Sequence, residues 1–237
     1  MDRILKAAIS LFIIVLLIFS ATILYAGFVR NTFHDSLKSD YTFSVSISTD
    51  TPLTNATFFI PLPVQSDGTS PVITKIGLAD ESGLPQGWHY GIYVAGNATM
   101  VKITAPKISP ETPSEFTITV PAGSLIDTDN PIPNAMTIQP IREIESTACT
   151  DFPGEKGELS ECYRYLGVIY ADYTTSPDAK VLIHSDLQGE NQWKIFRPAS
   201  NQYTNSISLT LLGNTNHGWF PAKGEIVTLI GDPFPKY

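Results

Sequence analysis

Between Ala7 and Val29 the chain runs for 23 residues, AAISLFIIVLLIFSATILYAGFV, without a charge or a proline. At ~1.5 Å of rise per residue, a helix of this length crosses a hydrocarbon layer of ~30 Å. In lipid each backbone N–H and C=O needs a partner within its own segment, and a Leu-, Ile-, Val- and Phe-rich run satisfies that need as a helix. Tyr25 falls near the far end, where an amphipathic ring suits the boundary between lipid and water. A cleaved signal peptide has a shorter apolar stretch, about 7–15 residues, ending in a small-x-small site. The nearest such site here, Leu24-Tyr25-Ala26, starts with a large residue, so the sequence favours a retained anchor.

Arg3 and Lys6 precede the apolar run, whereas Arg30 and Lys38 follow it. This bias mildly favours an N-terminus on the cytoplasmic side. Only two cysteines occur, Cys149 and Cys162, both in the long C-terminal part. A disulfide between them in an oxidising compartment agrees with that orientation. The expected organisation is a short cytoplasmic N-terminus (1–6), a transmembrane signal-anchor helix (7–29), a juxtamembrane linker (30–40) and an extracytoplasmic β domain (41–237). A sub-boundary is expected near 142–162, where CTDFPGEKGELSEC breaks the strand pattern and reads as a loop.

The part beyond the anchor reads as β structure. In YTFSVSIST, Tyr41, Phe43, Val45 and Ile47 alternate with Thr and Ser, the pattern of a strand with one wet face. Comparable segments are Thr57–Leu62, Val72–Ile76, Trp88–Val94, Thr99–Ala105, Phe116–Val120, Thr137–Ile141, Tyr163–Tyr173, Lys180–His184, Gln192–Phe196, Ser206–Leu212 and Glu225–Ile230. Ala95-Gly96-Asn97 and Leu187-Gln188-Gly189-Glu190-Asn191 are read as hairpin connections, making neighbouring strands antiparallel. The 18 prolines leave few windows for a long second helix. The expected fold class is mostly β: an antiparallel β-sandwich, or two stacked β units, behind one transmembrane helix.

Charge narrows the partners. Residues 31–237 carry 12 Lys and Arg against 22 Asp and Glu, a net −10. Such a surface repels phosphate backbones and anionic lipid headgroups, so neither nucleic acid nor a peripheral membrane interface is an expected partner. The membrane, through the helix, is one, and a surface protein or a glycan is the other.

Motifs for chemistry are sparse. His34, His89, His184 and His217 are far apart in sequence and lack the paired spacing of a zinc site, so no metal or cofactor is expected. Asp127-Thr128-Asp129-Asn130 resembles the opening of a calcium loop, but Pro131 comes next and the loop's glycine and distant bidentate Glu are missing, so an acidic turn is expected instead. Ser185 lies between His184 and Asp186, yet adjacent strand residues point to opposite faces, so the three do not form a triad. Glu143, Glu145 and Glu161 are acids of the kind a glycosidase pairs, a weak signal in a chain with 23 acidic residues.

Asn55-Ala56-Thr57 and Asn97-Ala98-Thr99 carry the N-glycosylation acceptor pattern, which makes Asn55 and Asn97 candidate acceptors. Of the three tryptophans, Trp88 and Trp193 begin strands and are expected to be buried. Trp219, beside His217 in GNTNHGWF, is the one expected near the surface, and these two residues are the candidate ligand or partner contacts. The expected function is a structural or protein-interaction role at the cell surface. A membrane-tethered carbohydrate-binding module is the alternative, and a surface hydrolase assembled from distant residues is the second alternative.

Overall fold

A computed structural model of the chain describes residues 3–78, 85–95, 98–110, 114–151, 160–213 and 215–235. One helix, α1 (Arg3–Ser36), holds the whole apolar run and continues through much of the stretch read as a linker. Its Leu5–Ser36 portion is long and apolar enough to cross a membrane, and the most apolar part of it is not covered by the rest of the chain.

Among the described residues twelve strands follow: β1 (Lys38–Thr49), β2 (Leu53–Pro61), β3 (Pro63–Val64), β4 (His89–Ala95), β5 (Ala98–Ile108), β6 (Ser114–Pro121), β7 (Thr137–Ile138), β8 (Arg142–Thr147), β9 (Cys162–Thr174), β10 (Lys180–Lys194), β11 (Pro198–Leu212) and β12 (His217–Gly231). The fold is mostly β and antiparallel, as the alternation implies. Ten strands share one sheet in the order β4-β5-β2-β9-β12-β11-β10-β1-β6, with β8 branching onto β9, and β3 pairs separately with β7.

The sheet curls so that its two ends approach. Phe116 of β6 lies 6.4 Å from Tyr90 of β4 and 6.5 Å from Phe43 of β1, ring centre to ring centre. A short helix, α2 (Pro71–Leu78), packs against both β4 and β6 and fills the gap between them. Inside lie the inward residues of each strand, among them Phe43, Phe58, Ile103, Ile183, Tyr203 and Ile207.

The hollow of the curl is filled by the connection between β6 and β8, which includes the single-turn helix α3 (Pro131–Asn134) and buries Ile126, Met136 and Ile138. Inward-facing polar side chains hold it. Asn191 accepts from the Ile126 N–H (3.0 Å) and donates to the Ile126 carbonyl (2.9 Å). Asn205 accepts from the Ile138 N–H (2.6 Å), and the Tyr203 hydroxyl donates to the Met136 carbonyl. Buried polar groups that complete one another's hydrogen bonds fix one arrangement of the interior, where apolar packing alone specifies it less sharply.

Two sequence expectations are corrected. Val72–Ile76, read as a strand from its β-branched residues, is helical in α2. Pro71 starts the helix, Ser70 Oγ accepts from the Ile73 N–H (3.3 Å), and Val72 and Ile76, one turn apart, are both buried. The hairpin expected at 187–191 is instead the middle of β10, which runs unbroken to Lys194. Gly189 lies there because the Tyr203 ring of β11 occupies the space above it, and the actual turn is Ile195-Phe196-Arg197. The hairpin read between Trp88–Val94 and Thr99–Ala105 is present as β4 and β5, while its Gly96 and Asn97 lie outside the described residues.

Candidate functional site

The outer face of β5, β2, β9 and β12 brings Lys102, Phe59, Tyr170 and Trp219 into a single cross-strand row. Phe59 is in register with Lys102 on one side and Tyr170 on the other, and Tyr170 with Trp219. Successive residues of a strand point to opposite faces, so Phe58, Ile169 and Phe220 turn inward where this row turns outward. Tyr93 joins from β4, whose Gly91, in register with Lys102, has no side chain.

Phe59 is the hub. Its ring centre lies 4.6 Å from Tyr93, 5.1 Å from Tyr170 and 6.0 Å from Trp219, with the Lys102 ammonium 5.9 Å away. Tyr170 meets Trp219 at 5.2 Å. Interplanar angles of 75° for Phe59–Tyr170 and 62° for Tyr170–Trp219 are edge-to-face, Phe59–Tyr93 is tilted at 59°, and only Phe59 and Trp219, at 33°, come nearer to parallel, so the nest as a whole is not a flat platform. Tyr93 and Trp219 still leave 42% and 48% of their surface open to solvent. Next to the row, His217 Nδ1 lies 3.2 Å from Asp172 Oδ1, an exposed pair in register across β12 and β9.

The residues singled out in the sequence fall into place unevenly. His217 and Trp219 sit together in this patch, whereas Trp88 and Trp193 are buried. Phe59, Tyr93, Tyr170 and Lys102 carried no local signal, since their proximity arises only from the strand register. The Cys149 and Cys162 sulfurs are 2.13 Å apart, at disulfide distance. Asn55 is exposed on β2 with φ 52° where the pairing to β9 shifts register, a conformation asparagine tolerates better than most residues. Asn97 lies outside the described residues.

Among the described residues, the remaining candidates lie in separate places. Ser185 faces the core, fully buried, while His184 and Asp186 face outward. Burial raises the Asp186 pKa above its ordinary value, and nearby His184 opposes this shift. Asp127 accepts from the Asn130 N–H (2.9 Å) and from Asn134 Nδ2 (2.7 Å), which makes it the brace of a turn. Glu143 and Glu145 line a groove of about 550 Å³ with Arg164, Lys223 and Glu225. Glu161 instead accepts the Tyr163 hydroxyl, which holds that phenol above its usual pKa. Among the described residues, no three His, Cys, Asp or Glu side chains converge as metal ligands.

Compared with known proteins, the chain matches no protein family, no curated protein and no solved structure.

Proposed function

We propose that this chain is a membrane-anchored binding protein whose β domain stands on the outer side of the membrane and engages a neighbouring surface protein through the Phe59 patch. The observation that carries the reading is the nest of Phe59, Tyr93, Tyr170 and Trp219, in which Tyr93 and Trp219 are about half open to solvent, bordered by Lys102, Asp172 and His217. Large aromatic side chains packed together within a charged and polar rim are the composition of protein–protein hot spots. Stacking on sugar rings favours aromatic faces presented side by side in one plane, and the mutual inclination of these rings supports a protein partner over a glycan. The length of the apolar helix and the cysteine pair support the membrane-anchored, oxidising location.

The test is site-specific photocrosslinking in the native cells. A photoreactive residue at Tyr93 is expected to give one discrete protein adduct, absent when the same residue replaces Leu182 on β10 and lost when Trp219→Ala is added. Adducts of equal yield at both positions would sink the reading, as would binding to a glycan array with no protein adduct. An impermeant thiol reagent on intact cells is expected to label the chain only after reduction. Labelling only after cell lysis would reverse the orientation.

A further inference from the structure

The turn between β10 and β11 carries a large apolar side chain that the core does not bury. Phe196 is 67% exposed, yet its ring lies 6.4 Å from Tyr25 and 6.1 Å from Phe28 of α1. Both partners belong to the uncharged run that ends at Val29. Tyr25 lies four residues and Phe28 one residue before that end, about 6 Å and about 1.5 Å of helix rise respectively. The turn therefore reaches alongside the last turn of the apolar segment.

Its depth is fixed by the packing above it. Val29 and Phe33 of α1 are buried, Phe33 meets Trp193 of β10 edge-on at 5.7 Å, and Phe234 stacks on Trp193 at 5.7 Å. Ser36 Oγ donates to the Lys194 carbonyl and accepts the Lys194 N–H, each at 3.0 Å. Helix and hairpin thus descend side by side. Arg30, Lys194 and Arg197 are exposed around this base, and Arg197 reaches Asp232 at 3.4 Å. Cationic side chains at this level suit lipid phosphates, while the aromatic ring below them suits the start of the acyl region.

We infer that the Ile195-Phe196-Arg197 turn is a second membrane contact, inserting Phe196 into the lipid interface beside α1 and setting the β domain at a fixed angle to the bilayer. The inference rests on the reading of α1 as a retained anchor. It makes the protein a two-point mount: the Phe59 patch is held at one orientation to the membrane plane instead of swivelling on a flexible stalk.

The full chain is reconstituted into phosphatidylcholine–phosphatidylglycerol vesicles, with an environment-sensitive nitrobenzoxadiazole dye on the thiol of Phe196→Cys, labelled without reductant. The control carries the dye on Leu212→Cys, at the opposite end of β11, roughly 45 Å along the strand at ~3.3 Å per residue. The expected result is blue-shifted emission at position 196, quenched by lipids brominated near the headgroup, with water-like, unquenched emission at 212. Equal, water-like emission at both positions in vesicles that retain the chain through carbonate extraction overturns the inference and leaves the anchor standing. Release of the chain by carbonate overturns both.

Discussion

Gly189 of β10 lies directly opposite Tyr203 of β11, and a Cβ added at Gly189 would stand 2.2 Å from the tyrosine ring. The same relationship recurs two strands away, where Gly224 of β12 faces Tyr165 of β9, also at 2.2 Å. In each pair the ring lies over the bare backbone of its partner and recovers the packing that glycine lacks. Tyr203 is also anchored through its hydroxyl to Met136, so its ring has no free direction in which to yield. Gly189→Ala is therefore expected to destabilise the domain by about 1–3 kcal/mol, the usual cost of overpacking a filled core. Urea denaturation of the detergent-solubilised chain measures this, and an unchanged midpoint would show that the ring moves aside.

Asn205 is the second point where the interior depends on one side chain. Its carbonyl oxygen takes the Ile138 N–H, and its amide donates to the Tyr165 hydroxyl (2.8 Å) and the Glu225 carbonyl (3.2 Å). Asn205→Leu keeps a similar volume but leaves the Ile138 N–H buried without this acceptor. The expected loss is about 1–3 kcal/mol, the desolvation penalty of an unmade hydrogen bond. Faster amide exchange at Ile138 should accompany it. Loss of stability with Ile138 exchange unchanged would place the effect elsewhere.

How much of this was legible in the sequence depends on the range of the interactions. The apolar run of α1 and the alternation of β1 are local patterns, and the β4–β5 hairpin joins neighbours in sequence. α2 is masked in the sequence because Val72, Ile73, Thr74 and Ile76 favour strands by composition, while Ser70 and Pro71, which start the helix, are common in turns too. The continuity of β10 through Gly189 is hidden because a glycine inside a strand resembles a turn wherever the ring that covers it comes from another strand. The patch was legible only at Trp219 and His217. Phe59, Tyr93 and Tyr170 come from strands whose order, β4-β5-β2-β9-β12, is set by pairings between distant segments.

Cys149 and Cys162 are 13 residues apart in sequence and bracket a segment that lies outside the described residues. Cys162 is buried against Val227 and Ile230 at the start of β9. Cross-linking so short a loop stabilises by ~3 kcal/mol at most on chain-entropy grounds. The double substitution Cys149→Ser, Cys162→Ser is expected to lower stability by up to that amount and to open the β8–β9 corner to protease before the rest of the sheet. Equal protease resistance in both chains would show that the pairing contributes nothing to this corner.

Alkaline pH should weaken the fold in a way that neutral pH does not reveal. Burial raises the phenol pKa of Tyr41, Tyr165 and Tyr203, and pushes that of Tyr173, whose hydroxyl is buried without a hydrogen-bond partner, up to about 12. An unfolded tyrosine ionises near pH ~10, so below that both states hold the proton and these groups leave stability unchanged. Above it the unfolded chain releases protons that the folded chain keeps, which favours unfolding. Urea midpoints are expected to fall steadily from about pH 9 to about pH 11, with tyrosinate absorbance lagging until the chain unfolds. A midpoint flat across that range would contradict the burial of these phenols.

Phe33 joins α1 to the sheet, and its removal separates two kinds of stability. It is 2% exposed, packed edge-on against Trp193, while Ser36 and Lys194 exchange backbone and hydroxyl hydrogen bonds a turn further on. A core Phe→Ala change costs about 3–5 kcal/mol, but here the loss falls on the docking of α1, because the strand pairings of the domain do not pass through Phe33. In Phe33→Ala, Trp193 should lose its cover and become open to collisional quenching by acrylamide, with the denaturation midpoint of the sheet little changed. Adding Ser36→Ala should increase the quenching further, since the second tie to β10 is then gone. If Trp193 stayed protected in both variants, α1 and β10 would not be held together by this contact, and the fixed depth of the Phe196 turn would lose its structural basis.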